Sequence, residues 1–143
     1  MTIYERIDEN KKAIDTVRPF EGEILRQLRE YYRIGLTWTS NALEGNSLTE
    51  IETKVLLKFV TIHPFIDGNG RVARLLMNAA LIQDGYMLAI VPPILRLDYL
   101  AAIRRYQQEG TDEQFCRLIA ERVLESEKEI MRLLHITIQN LCV

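Results

Sequence analysis

Apolar residues recur along most of the chain at intervals of three and four, the period of an α-helix. Ile3, Ile7, Ile14 and Val17 share one helical face, and Pro19 with Gly22 closes that segment. Ile24, Leu25, Leu28, Tyr31 and Tyr32 predict a second helix that runs toward Trp38. Ser40 to Ser47 is polar and turn-rich. A third helix is predicted from Leu48-Thr49-Glu50, with Ile51, Val55, Leu56 and Phe59 as its stripe. Pro64 stops it at His63, because proline disfavours helix in the residue before it. From the break at Gly68-Asn69-Gly70 an amphipathic helix emerges, marked by Val72, Leu75, Leu76, Ala79 and Ala80 and ending near Gly85. Ala89 to Pro93 reads as an extended connector. Two more helices follow, one from Leu97 to Gln108 and one from Glu113 to about Leu134, with Glu109 to Asp112 between them supplying a cap. No repeat, low-complexity tract or strand-like alternation interrupts this pattern. The predicted fold class is all-α.

Composition narrows the picture. At 143 residues, with 48% hydrophobic and 27% charged side chains, the chain fits one globular domain, 1–143. Eighteen basic against twenty acidic residues leave a net charge of −2. Binding to nucleic acid or to a membrane surface through bulk charge is excluded, whereas a discrete anion site needs only a few placed donors. The N-terminus lacks a signal-peptide layout, and charged or polar residues break every apolar run well short of a membrane span. Cys116 and Cys142 form neither a C-x-x-C pair nor a metal spacing, so both read as reduced thiols. A cytoplasmic protein is expected.

The chemistry concentrates in residues 63–74, His-Pro-Phe-Ile-Asp-Gly-Asn-Gly-Arg-Val-Ala-Arg. Gly68 and Gly70 let backbone N–H groups approach a ligand, and the helix starting there offers unsatisfied N–H groups and a positive dipole end. Arg71 and Arg74 lie three apart at that end, an unfavourable place for cations unless a polyanion sits between them. Asp67 stands where a Mg²⁺ bridging phosphates would need a carboxylate. His63 adds the side chain used most often as a general base near neutral pH. Together these describe phosphoryl or nucleotidyl transfer to a weak nucleophile. Taken singly, each has a plainer explanation: a helix-end histidine, a simple turn, a solvated pair of arginines. Zinc is disfavoured, since His135 is the only other histidine. The ordered co-occurrence within twelve residues is what favours the chemical reading.

This string resembles the Fic family, whose signature H-x-F-x-[D/E]-G-N-G-R-x-x-R is met at every fixed position from His63 and Phe65 to Arg71 and Arg74. Thr39 to Thr49 resembles the family's inhibitory segment, [S/T]-x-x-x-E-[G/N], with Glu44 as its glutamate. Leu75 to Asn78 and Asp98 to Leu100 are similar to Fic cores as well. The resemblance implies a protein adenylyltransferase that moves AMP from ATP to a Ser, Thr or Tyr hydroxyl of a target protein. His63 would be the base, Phe65 would pack in the core and fix the loop, and Asp67 would hold Mg²⁺. Gly68, Asn69 and Gly70 would form the anion hole, Arg71 and Arg74 would grip phosphates, and Tyr99 and Leu100 would lie near the nucleoside. Glu44 would pair with Arg74 and inhibit. AMP removal, which some members with an intact inhibitory glutamate perform, stands beside AMP transfer. The chain then divides into N-terminal helices and inhibitory segment (1–47), catalytic-motif helices (48–85) and C-terminal helices (86–143).

Family members place a long helical stretch and a β-hairpin flap between the inhibitory segment and the histidine. Here Leu57 runs directly into Lys58, which reads as an internal truncation. The flap aligns the target by strand addition, so its loss bears on docking, and the unmatched apolar faces favour a homo-oligomer. A second function therefore stays open: a catalytically silent remnant that binds nucleotide, phosphate or a protein partner. Geometry adds one expectation. An unbroken helix from Leu48 to Thr61 would be roughly 21 Å long and would hold Glu44 and Arg74 on the order of 10–15 Å apart within one chain. No intrachain ion pair between them is then expected.

Overall fold

The computed structural model describes residues 1–42 and 57–136, with side chains 33–42 left out. Among the described residues there are helices and no strand, so the all-α expectation holds. They are α1 (Ile3–Asp15), α2 (Gly22–Ala42), α3 (described over 57–62), α4 (Asn69–Gln83), α5 (Arg96–Glu109) and α6 (Glu113–Leu133), with a 3₁₀ turn at Pro93–Leu95. The second helix extends past Trp38 into the stretch expected to be turn-rich, reaching Ala42. Glu44, the start of the helix predicted from Leu48, and Cys142 lie outside the described residues. The expected separation of Glu44 from Arg74 lies outside them too.

Local chemistry sets the helix ends. Thr2 and Glu5 form a capping box at the start of α1: the Thr2 hydroxyl accepts from the Glu5 N–H, and the Glu5 carboxylate accepts from the Thr2 N–H. Gly110 closes α5 at φ 74°, a left-handed position that suits glycine, and its N–H donates to the Tyr106 carbonyl at 2.8 Å.

α1 packs along α6. Ile7 joins Ile119 and Val123 in the main core, and Ile14 joins Leu28, Met87 and Ile130 in a second cluster. The main core also collects Leu57 from α3, Ala73, Met77 and Leu81 from α4, and Tyr99 and Ile103 from α5.

On α4 the expected stripe is not the buried one. Ala73, Met77 and Leu81 face the core, while Leu75 and Leu76 are 68% and 44% exposed. Two apolar stripes run along this helix, and a polar side chain chooses between them. Asn78 is buried; it donates to the Ala89 carbonyl (3.3 Å) and accepts from the Ala89 N–H (2.8 Å). That two-bond clasp ties α4 to the connector and turns Ala73, Met77 and Leu81 inward. The connector is non-helical from Tyr86 to Pro92, beginning before the expected Ala89 and giving way to the 3₁₀ turn at Pro93, with Ala89 and Val91 in the core.

Candidate functional site

The helix α3 ends in a left-handed residue followed by proline. His63 has φ 51°, and its N–H donates to the Phe59 carbonyl at 3.0 Å, closing the last turn. Pro64 then directs the chain away. The sharp reversal leaves the His63 side chain exposed rather than packed along the helix.

The loop that follows is built around Asn69. Its buried side chain accepts from the Phe65 N–H (2.9 Å) and donates to the Phe65 carbonyl (2.7 Å). These two bonds fold residues 65–69 into a fixed loop immediately before α4. Gly68 sits at the N-cap with φ 81°, where a side chain would be strained. The first closed turn of α4 is the Val72 N–H to the Gly68 carbonyl at 3.0 Å. The amides of Asn69, Gly70 and Arg71 therefore lie in the turn that has no carbonyl behind it within the helix.

His63, Asn69, Gly70 and Leu100 line one cavity of about 310 Å³, with Val60, Ile103, Arg104 and Gln107. The motif loop and α5 thus meet at a single concavity beside the imidazole. Arg104 and Gln107 were not among the residues singled out by sequence. Their signal was the spacing 100, 104, 107, which puts both on the face of α5 that carries Leu100.

Several motif residues depart from the expected arrangement. Tyr99 does not line this cavity: it is 1% exposed, its ring lies 5.5 Å from that of Phe115, and burial pushes its phenol well above the usual range, with Arg74 nearby pulling the other way. Consecutive residues on a helix point about 100° apart, so Leu100 faces the cavity and Tyr99 the core. Phe65 is 52% exposed and touches Phe59 at 6.1 Å between ring centres; Asn69, not Phe65, fixes the loop. The Gly68 N–H donates to Asp67 Oδ1 at 2.6 Å, which occupies one of the three expected anion donors. Asp67 Oδ2 pairs with Arg71 at 3.1 Å on the solvent side. Arg74 is buried on the inner side of α4 while Arg71 is exposed, so the two arginines do not share an open face. No group of three or more His, Cys, Asp or Glu able to hold a metal occurs among the described residues. No described helix is long and apolar enough to cross a membrane.

Comparison with known proteins bears on this site. The Fic/DOC family pattern matches residues 7–81, just over half of the chain. The chain is 42% identical to "Protein adenylyltransferase Fic" of Drosophila grimshawi over 138 residues, covering 85% of this chain and 28% of that protein. The protein of the same name from Drosophila ananassae is 47% identical over 107 residues, 73% of this chain and 20% of the relative. For Drosophila mojavensis the figures are 41% over 83 residues, 57% and 16%. The chain spans less than a third of the length of these relatives.

Proposed function

The chain belongs to the Fic/DOC family, and from that premise we propose that it is a protein adenylyltransferase moving AMP from ATP to a Ser, Thr or Tyr hydroxyl of a target protein. One observation carries this reading: His63 shares a cavity with Asn69, Gly70 and Leu100 at the N-terminus of the helix that bears Arg71 and Arg74. A base and a phosphate-seeking helix end at one concavity suit attack of a hydroxyl on a phosphate.

In the proposed reaction His63 takes the hydroxyl proton and the hydroxyl oxygen bonds to the α-phosphorus. The bond from that phosphorus to the bridging oxygen breaks, and pyrophosphate leaves. The amides of Asn69, Gly70 and Arg71 hold phosphate oxygens, with Gly68 supplying the left-handed turn that brings them together. The exposed Arg71 guanidinium neutralises the phosphates, Arg74 adds its charge from the buried side of α4, and Leu100 packs on the nucleoside.

The residues present fit Mg²⁺. Such ions are commonly held by one or two carboxylates together with phosphate oxygens, and Asp67 offers one exposed carboxylate beside the loop. Bound there, Mg²⁺ supplies charge neutralisation on the phosphates. Asp67 must first release Arg71, and an exposed pair of this kind contributes only about 0.2–1 kcal/mol.

Incubation with ATP labelled on the α-phosphate tests the proposal by self-labelling. His63→Ala should reduce labelling by about 100-fold or more while ATP affinity stays within about 3-fold, because the base touches the hydroxyl and not the phosphates. Undiminished labelling in that variant overturns the assignment. Glu44→Gly tests the inhibitory glutamate separately. The separation expected from sequence predicts little gain in a monomer, and a large gain would place Glu44 at the site.

A further inference from the structure

Neither of the motif arginines lines the His63 cavity. Arg71 is drawn to Asp67 on the solvent side, 3.1 Å away, and Arg74 is buried on the inner face of α4. Among the described residues, the guanidinium on that cavity belongs to Arg104. It comes from α5, outside the twelve-residue motif.

The register of α5 places it there. Leu100, Ile103, Arg104 and Gln107 lie three and four residues from one another and form one stripe on the helix. Ile103 is buried, Leu100 half-buried and Arg104 exposed, so the stripe grades from core to solvent with a cation at its outer side.

The sequence leaves that cation without a local counter-ion. Its neighbour shows the common arrangement on a helix: Arg105 donates to Glu109, four residues on, at 2.8 Å. The positions three and four away from Arg104 hold Ala101 and Leu100 on one side and Gln107 and Gln108 on the other, with no acid among them. Arg104 makes no ion pair or hydrogen bond among the described residues. No carboxylate lines the cavity either. A recess with charge of one sign, beside the positive end of α4, concentrates anions.

We infer that Arg104 is a phosphate-binding residue of this cavity, holding oxygens of the nucleotide's phosphate chain from α5 while the amides of Asn69 and Gly70 hold others from α4. The inference rests on the proposed AMP transfer for the identity of the ligand, and it adds a residue that the motif does not contain. A guanidinium offers a phosphate two parallel N–H groups, where an ammonium offers a single point of charge. A guanidinium can also lie on the face of a nucleobase. The two roles differ in what they read: stacking is indifferent to the number of phosphates, and charge pairing is not.

Calorimetric titration of the full chain with ATP, AMP and adenosine separates them. Arg104→Gln should weaken ATP binding by about 10-fold, AMP binding by less and adenosine binding by no more than about 2-fold. Arg104→Lys keeps the charge and loses the fork, so its ATP affinity should fall between those of wild type and the Gln variant. Arg105→Gln removes the same charge from the same helix outside the cavity, and should leave ATP affinity within about 2-fold. Arg104 is exposed and without a partner among the described residues, so the Gln variant should melt with wild type. ATP affinity unchanged by Arg104→Gln overturns the inference and leaves AMP transfer standing. Equal losses for ATP and adenosine do the same, as do equal losses in the Arg104 and Arg105 variants. A wild-type chain that binds no ATP overturns both readings.

Discussion

The loop from His63 to Gly70 and the seam between α1 and α6 each hold a carboxylate, and they hold it in opposite ways. Asp67 is exposed, with two partners close in sequence: the Gly68 N–H at 2.6 Å and Arg71 at 3.1 Å. Glu127 is wholly buried, and neither of its oxygens makes a hydrogen bond of good geometry. Burial pushes the Glu127 carboxyl up to about 8; Asp8 adds to the rise, while Asn10 and Lys11 on α1 pull it down. The Asn10 side chain is close enough to favour the charged form without completing a bond. One carboxylate stands in solvent with both of its partners within four residues of it. The other is pushed toward its neutral form by burial, which outweighs the pull of Asn10 and Lys11. The contrast separates an exposed carboxylate with local partners from one enclosed by helix packing.

The largest effect expected from this contrast is a pH dependence of stability centred on Glu127. Between pH 4.5 and about 8 the unfolded chain releases a proton that the folded chain retains. Its contribution is therefore fully present below pH 4.5 and falls as pH rises toward 8, by about 3 kcal/mol at pH 7. Above 8 both states are ionised and the loss levels off. Urea unfolding at pH 5, 7 and 9 should show the decline, and Glu127→Gln should flatten most of it. An unchanged slope in the Gln variant would mean that other groups set the decline and that the seam does not hold its carboxyl neutral.

Asn69 comes next, as the polar group that the site region buries with full satisfaction. Asn69→Ala removes both bonds to Phe65 and leaves a backbone N–H and C=O to find other partners. A loss of about 1–3 kcal/mol in unfolding free energy is expected, with ATP affinity falling as the loop loosens. Asn69→Asp keeps the acceptor for the Phe65 N–H and loses the donor, so it should fall between the two. Wild-type stability in the Ala variant would show that the loop is held by something other than this side chain.

How much of this was legible beforehand differs between the two regions. The loop was legible because its glycines, asparagine and arginines stand at fixed spacing, and that spacing survives folding. What spacing could not convey was direction. Tyr99 and Leu100 are adjacent in sequence yet face core and cavity, and α4 carries two apolar stripes whose choice depends on Asn78 clasping Ala89. Phe65, apolar within a motif, was expected inward and is half exposed. At the seam the signal was present but easily passed over. Glu127 lies three and four residues from Val123, Leu124, Ile130 and Met131, an apolar position by periodicity that holds an acid. The bounds of α6 were legible, and the acid on its buried face carried the electrostatics.

His63 sharpens the comparison from the backbone side. Its φ of 51° is costly for any residue with a Cβ, about 1–2 kcal/mol, and glycine escapes that cost. His63→Gly should therefore be more stable than His63→Ala by about 1 kcal/mol in matched thermal or urea melts, although both lack the imidazole. A site that spends stability on presenting one side chain behaves in this way. Equal stability of the two variants would mean that the turn relaxes freely, and that His63 is placed by loop exposure and not by a constrained helix end.

The smallest effect on stability is expected at Asp67, and it decides what kind of pair Asp67 and Arg71 form. Their side chains are 75% and 52% exposed, so the pair is screened by water and contributes about 0.2–1 kcal/mol at most. Asp67→Asn retains an oxygen for the Gly68 N–H and removes only the charge. Unfolding should therefore change by less than about 1 kcal/mol. Ligand binding should change more, and in a direction that depends on the ion. Calorimetry should show ATP with Mg²⁺ binding about 10-fold more weakly to the variant, for want of a carboxylate ligand. ATP without Mg²⁺ should bind as well or better, because Arg71 no longer has Asp67 to pair with and no carboxylate repels the phosphates. A stability loss well above 1 kcal/mol would make this pair structural, as Asn78 and Ala89 are. The loop would then resemble the seam, with its polar groups committed to the fold and not held ready for a nucleotide.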